Sequence, residues 1–149
     1  MTRIIRSLCV ALAAGLLTMG SAGADPAKHR AVLQITENDP EVMNRVLNNA
    51  KNVLKFYGEK HEDAEVEIVA YGPGLHMLRD DTSPVKQQIK EIVDANGSKV
   101  AFAACNNTKQ GMEKREGHPI TIIPQATLVP AGVVRVMELE EQGYSYVKP

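Results

Sequence analysis

Short apolar runs recur along this chain, most of them separated by a segment of helical periodicity. That alternation constrains the fold more than any other feature of the sequence. "HRAVLQIT" (His29 to Thr36), "AEVEIVAYG" (Ala64 to Gly72), "KVAFAA" (Lys99 to Ala104), "PITII" (Pro119 to Ile123) and "YSYVK" (Tyr144 to Lys148) read as strands. After the first, Asp39 is placed to cap a helix with Pro40 at its first position. Apolar residues then recur at three- and four-residue spacing from Val42 to Tyr57, with closure near Gly58. Ser83 and Pro84 predict a second start, followed by the stripe Val85, Ile89, Ile92, Val93 and a stop at Gly97. "NNTKQGMEKRE" predicts a third helix, and "VPAGVVRVMELEEQG" a fourth that begins at Pro130 and ends before Gly143. Strands alternating with helices at this spacing predict one α/β domain. Its expected form is a three-layer sandwich, with a mostly parallel sheet of about five strands and helices on both faces.

The chain is 149 residues long and opens on "MTRIIRSLCVALAAGLLTMGSAGADP", which has the pattern of a secretory leader. Arg3 and Arg6 supply the positive end, Leu8 to Met19 the apolar stretch, and Ala22-Gly23-Ala24 the small-residue cleavage pattern. The stretch is shorter than the roughly 20 residues that span a bilayer. The expectation is a signal peptide over residues 1–24, a domain over 25–149 and a periplasmic location, with no membrane attachment after cleavage. Loss of the two arginines lowers Lys and Arg from 17 to 15 against 18 Asp and Glu. A net charge of that sign argues against nucleic acid or an anionic membrane as partner.

Removal of the leader also removes Cys9 and leaves Cys105 as the only thiol of an exported domain. A disulfide framework needs an even set of cysteines, so the fold must rest on its apolar core. Cys105 is therefore buried and inert, held for an intermolecular partner, or functional. Its position leaves burial and chemistry equally open. Ligands of parallel sheets bind beyond the carboxyl ends of the strands, and Cys105 falls at the end of the third run and the start of the third helix. The unpaired N–H groups and dipole of a helix start stabilise a thiolate. Asn106, Asn107 and Thr108 surround it with short polar groups, and Lys109 is placed to depress the thiol further by folding back.

Two other segments are expected at the same edge: "YGPGLHM" after the second strand and "PQATLVPAG" after the fourth. Gly72 and Gly74 flank Pro73, which predicts a tight turn with exposed backbone N–H groups. His76 follows that turn as a candidate base for Cys105. His118 is expected at the opposite edge. No histidine pair has metal-ligand spacing and no dinucleotide fingerprint is present, so neither a metal nor a cofactor is expected. Asn96 and Asn106 match the glycosylation pattern, but a helix end and a helix start account for both.

Taken together, "AYGPGLHMLRDD", "VAFAACNNTKQGM" and "LVPAGVVRVMELEEQGYSYVKP" resemble the DsrE/DsrF-like family, in its small single-domain, exported branch. The resemblance runs from about Val32 to Pro149. It implies a compact flavodoxin-like α/β fold and assembly into homotrimers or homohexamers. It also implies a sulfur-carrying cysteine, which falls on Cys105, with Gly111 at the position of a family glycine in the following helix. An exported protein does not meet the cytoplasmic partners of the known sulfur relays.

The leading functional expectation is a periplasmic sulfur carrier that holds a persulfide on Cys105, with Gly72, Gly74, Asn106, Asn107 and Thr108 around the ligand. Its partners would be a sulfur donor or acceptor protein or a small sulfur compound. Carriage of this kind is thiol chemistry without stand-alone turnover. The alternative is an oligomeric module that binds a small anion in a pocket merely lined by Cys105. A thiol enzyme using Cys105 with His76 ranks third. The tail "GYSYVKP" and the Val-rich start of the last helix offer apolar surface for self-association.

Overall fold

The computed structural model of the protein describes residues 27–149. The expected leader, with Cys9, lies outside the described residues. The elements run β1 (His29–Ile35), α1 (Pro40–Glu59), β2 (Ala64–Ala70), a 3₁₀ helix (Gly72–Leu78), α2 (Lys86–Asn96), β3 (Val100–Cys105), α3 (Asn106–Glu116), β4 (Ala126–Val129), α4 (Gly132–Glu141) and β5 (Ser145–Val147). The five strands form one sheet in the order β4-β3-β2-β1-β5, and every pairing is parallel. This is the α/β three-layer architecture that the alternation predicts.

Register explains the two faces. Leu33 pairs with Ile68, Ile68 with Phe102 and Phe102 with Ala126, which sets one apolar row across four strands. That face packs with Met43, Leu47 and Ala50 of α1, Ile89 and Ile92 of α2, and Met112 of α3 in the larger core. The opposite face gathers Val32, Val69 and Ala103 under Val136 and Leu139 of α4. Three helices therefore cover one face and one helix covers the other.

Two carboxylates in a central strand need partners, because a buried unpaired charge is costly. Glu67 lies on the α4 face and forms a fork with Arg135 of α4, with both bonds at 2.7 Å. Glu65 accepts from the Tyr144 hydroxyl at 2.9 Å. These bonds fix α4 across the sheet and so fix where its first residue lands.

α1 follows its sequence signals closely: Asp39 caps it by accepting from the Glu41 N–H at 2.7 Å. The second helix starts at Lys86, later than Ser83 predicts. The Ser83 hydroxyl is used in the preceding loop, where it donates to the Met77 carbonyl at 2.5 Å, and the capping position falls to Val85. Gly97 ends the helix with a φ of 56°, a conformation that glycine adopts without strain. The fourth strand also differs from expectation. "PITII" makes only an isolated antiparallel bridge from Ile122 to Arg79, whereas "ATLV" (Ala126–Val129) pairs with β3. Ile120 and Ile123 are buried in the larger core, so the run fills space beneath the sheet edge instead of extending it.

Candidate functional site

β3 and β4 are neighbours, yet their following helices leave to opposite faces of the sheet. α3 packs Met112 into the larger core and α4 packs Val136 and Leu139 into the smaller. Such a divergence opens the crevice in which parallel sheets bind ligands. Cys105 ends β3 at this crevice and pairs in register with Val129, the last residue of β4.

Cys105 is the N-cap of α3. Its Sγ accepts the N–H of Thr108, three residues on, at 3.4 Å, as a serine or aspartate oxygen does at other helix starts. α4 also begins here. Its N-cap is Ala131, which supplies no side-chain cap, and the Gly132 N–H lies on the Cys105 side, where it favours the charged form of the sulfur. Two helix starts thus converge on one thiol. Gly132 is required for the approach, since a Cβ there would lie 2.8 Å from both Cβ and Cδ1 of Tyr71. Tyr71 is itself fixed by donating its hydroxyl to Gln34 Oε1 at 2.7 Å.

Electrostatics at the sulfur are a contest. Burial opposes the thiolate, for Cys105 is only 5% exposed. Against it stand the hydroxyl and N–H of Thr108 and the N–H groups of Gly132 and Asn107. The N–H groups prevail, and the thiol is held below its ordinary value. The same placement acts on Tyr71, whose phenol is raised by burial first and then by the neighbouring charges of Tyr146 and Cys105.

Several expected roles move. Thr108 joins the site twice: its N–H caps the sulfur and its Oγ1 accepts the Gly72 N–H at 3.0 Å. Asn107 contributes through its backbone, and its N–H also reaches the Pro130 carbonyl at 3.3 Å. Asn106 occupies the first helical position of α3. The Gly72–Gly74 turn does not present free N–H groups, because it is a 3₁₀ helix in which the Gly74 N–H bonds to the Tyr71 carbonyl. Gly74 is a packing residue, not a ligand residue: a Cβ there would meet the Ile35 carbonyl oxygen at 2.3 Å. Lys109 does not fold back to the thiol but pairs with Glu113 at 2.6 Å. His76 makes no hydrogen bond to Cys105, and its Nδ1 meets Thr82 Oγ1 at 2.8 Å. His118 lies beyond the far end of α3, 3.4 Å from Glu116.

Sequence reasoning missed the residues that hold the site in place. Arg79 is 1% exposed and forms a fork with Asp81 and another with Glu116, at 2.7–2.9 Å, joining the end of the 3₁₀ helix to the end of α3. Tyr71 and Gly132 belong to the same class of support. An arginine in a polar loop gives no sequence signal of burial, and the contact of Tyr71 with Gly132 joins residues far apart in the chain.

A cleft of about 390 Å³ opens beside the site between the 3₁₀ helix and α3. Gly72, His76, Asn107 and Thr108 line it together with Asn38, Gly111 and Arg115, but Cys105 does not. The small-anion alternative therefore separates from the thiol: the cleft and the sulfur lie on two sides of Thr108. Among the described residues no group of three His, Cys, Asp or Glu side chains has the arrangement of a metal site, and no helix is long and apolar enough to cross a membrane.

No family model matches the chain, and no curated protein matches it. A solved structure does. The chain is similar to MTH1491, a protein of unknown function from Methanobacterium thermoautotrophicum, with 25% identity and a TM-score of 0.67. The match covers 81% of this chain and 99% of that one. It supports the parallel α/β architecture and carries no function.

Proposed function

We propose that the protein is a periplasmic, DsrE/DsrF-like sulfur carrier whose working group is the Cys105 thiolate. The observation that carries this reading is the convergence of two helix starts on a single sulfur that is held below its ordinary ionisation range. In the transfer step, the Cys105 thiolate attacks the outer sulfur of a donor persulfide, R–S–SH. The donor S–S bond breaks with its electron pair leaving on RS⁻, and a new S–S bond gives Cys105–S–SH. No net oxidation occurs. The same N–H groups that favour the thiolate favour the persulfide anion. Burial of the sulfur suits a carrier, which must keep the persulfide from water until a partner docks.

An exposed apolar patch beside the site supports a protein partner. Leu128 of β4 and Val133, Val134 and Met137 of α4 lie next to the Cys105 crevice, with exposures of 47–56%. Self-association into a homotrimer or homohexamer, with the sulfur donor or acceptor meeting the same region, is part of this reading. The test is mass spectrometry of the purified protein after incubation with a low-molecular-weight persulfide. Gain of one sulfur on Cys105, absent in Cys105→Ser, supports carriage; an unchanged mass refutes it.

A further inference from the structure

We propose that the cleft between the 3₁₀ helix and α3 is a binding site for a small oxyanion, with Arg115 as its principal contact and His76 as its second. The anion site itself is independent of sulfur carriage, since Cys105 does not line the cleft, whereas the choice of sulfur compounds as its ligands rests on that reading.

Arg115 is the only arginine or lysine in the lining, and no carboxylate lines the cleft. The neighbouring acids are all engaged: Glu113 with Lys109 and the Ile120 N–H, Glu116 and Asp81 with Arg79. Among the described residues Arg115 has no ion-pair partner. Its guanidinium lies along α3 beside Gly111, with Nη1 3.5 Å from where a Cβ there would stand, an ordinary contact distance. A guanidinium fork matches carboxylates and tetrahedral oxyanions through two parallel N–H bonds.

The remaining polar groups fit the same ligand. Thr82 occupies His76 Nδ1, which leaves Nε2 as the ring nitrogen for a ligand. Asn38 and Asn107 bring carboxamides that donate N–H bonds. A volume of about 390 Å³ falls in the range of small-ligand sites and admits an oxyanion with a short organic tail. Thr108 forms one wall and also caps Cys105, so a bound anion sits one residue from the thiol.

The oxyanion has two possible sources: an inorganic sulfur oxyanion, or the carboxylate of a small organic thiol. The experiment is an NMR titration of the full domain as Cys105→Ser, at constant ionic strength, with thiosulfate in one arm and mercaptosuccinate in the other. Expected are saturable shifts confined to the cleft lining, at Asn38, Gly72, His76, Asn107, Thr108, Gly111 and Arg115, in at least one arm, and the tighter arm names the source. Arg115→Gln should weaken binding at least about tenfold, the loss expected for a charge-assisted pair. Lys114→Gln removes the same charge one residue away from the cleft and should leave the affinity within about twofold. Absence of saturable shifts in both arms overturns the proposal. So does equal weakening by Arg115→Gln and Lys114→Gln, which would mean a diffuse field and no site.

Discussion

The Thr108 N–H donates to Cys105 Sγ at 3.4 Å, and this bond makes a cysteine the cap of α3. A thiolate accepts such a bond better than a thiol does, so helix formation and ionisation at Cys105 favour each other. The consequences are measurable in stability, reactivity and pH dependence.

Serine keeps a capping oxygen and alanine does not. At a pH below the native thiol range Cys105→Ser should therefore stay close to wild type in denaturant unfolding, whereas Cys105→Ala should lose about 1 kcal/mol through the missing cap. Neither should carry sulfur. Equal stability of the two variants would show that the cap bond contributes nothing.

Because the thiol is held low, native alkylation of Cys105 should rise through an inflection below the ordinary thiol range. The sign for stability follows. A depressed native value stabilises the fold above the unfolded-state value, and that contribution is lost as pH falls through the native value. The stability difference between wild type and Cys105→Ser should accordingly grow as pH rises across that interval. Iodoacetamide kinetics and urea titrations at several pH values check both statements.

Gly132→Ala should push the start of α4 away from Tyr71, since the added Cβ would lie 2.8 Å from the ring side chain. The expected result is a loss of about 1–3 kcal/mol and an alkylation inflection shifted back up. Gly74→Ala places its Cβ against backbone, at 2.3 Å from the Ile35 carbonyl oxygen, and should cost more than Gly132→Ala. Thermal unfolding of the two variants ranks them.

Arg79 supports the site by tying the 3₁₀ helix to α3. Its bonds to Asp81 and Glu116 hold both carboxyls below their usual range. Depressed carboxyls stabilise the fold above the unfolded-state carboxylate range and lose that contribution as pH falls through the native values. Stability of Arg79→Met should therefore depend less on pH below about 5 than that of wild type, by urea titration. An identical acid profile would contradict the assignment.

Much of this architecture is legible in the sequence, and what is not has physical causes. Asp39 and Pro40 are local signals, and α1 starts where they place it. Cys105 at a strand end followed by short polar residues is also local, and it marks the centre of the site. "PITII" misleads because Ile120 and Ile123 are buried without being in a strand. "ATLV" reads weakly because no residue of β4 is fully buried, and its strand character comes from pairing with β3. The capping value of Ser83 is likewise overridden by a tertiary contact, its bond to the Met77 carbonyl. Arg79 ties the 3₁₀ helix to Glu116, and Tyr71 meets Gln34 and Gly132, all far away in the chain, so no local pattern announces this support.

The direct test of the central claim is the intact mass of the native protein after exposure to a low-molecular-weight persulfide, with and without prior alkylation by iodoacetamide. The account predicts one added sulfur, located on Cys105, blocked by alkylation and absent in Cys105→Ser. A native protein whose Cys105 gains no sulfur would contradict it.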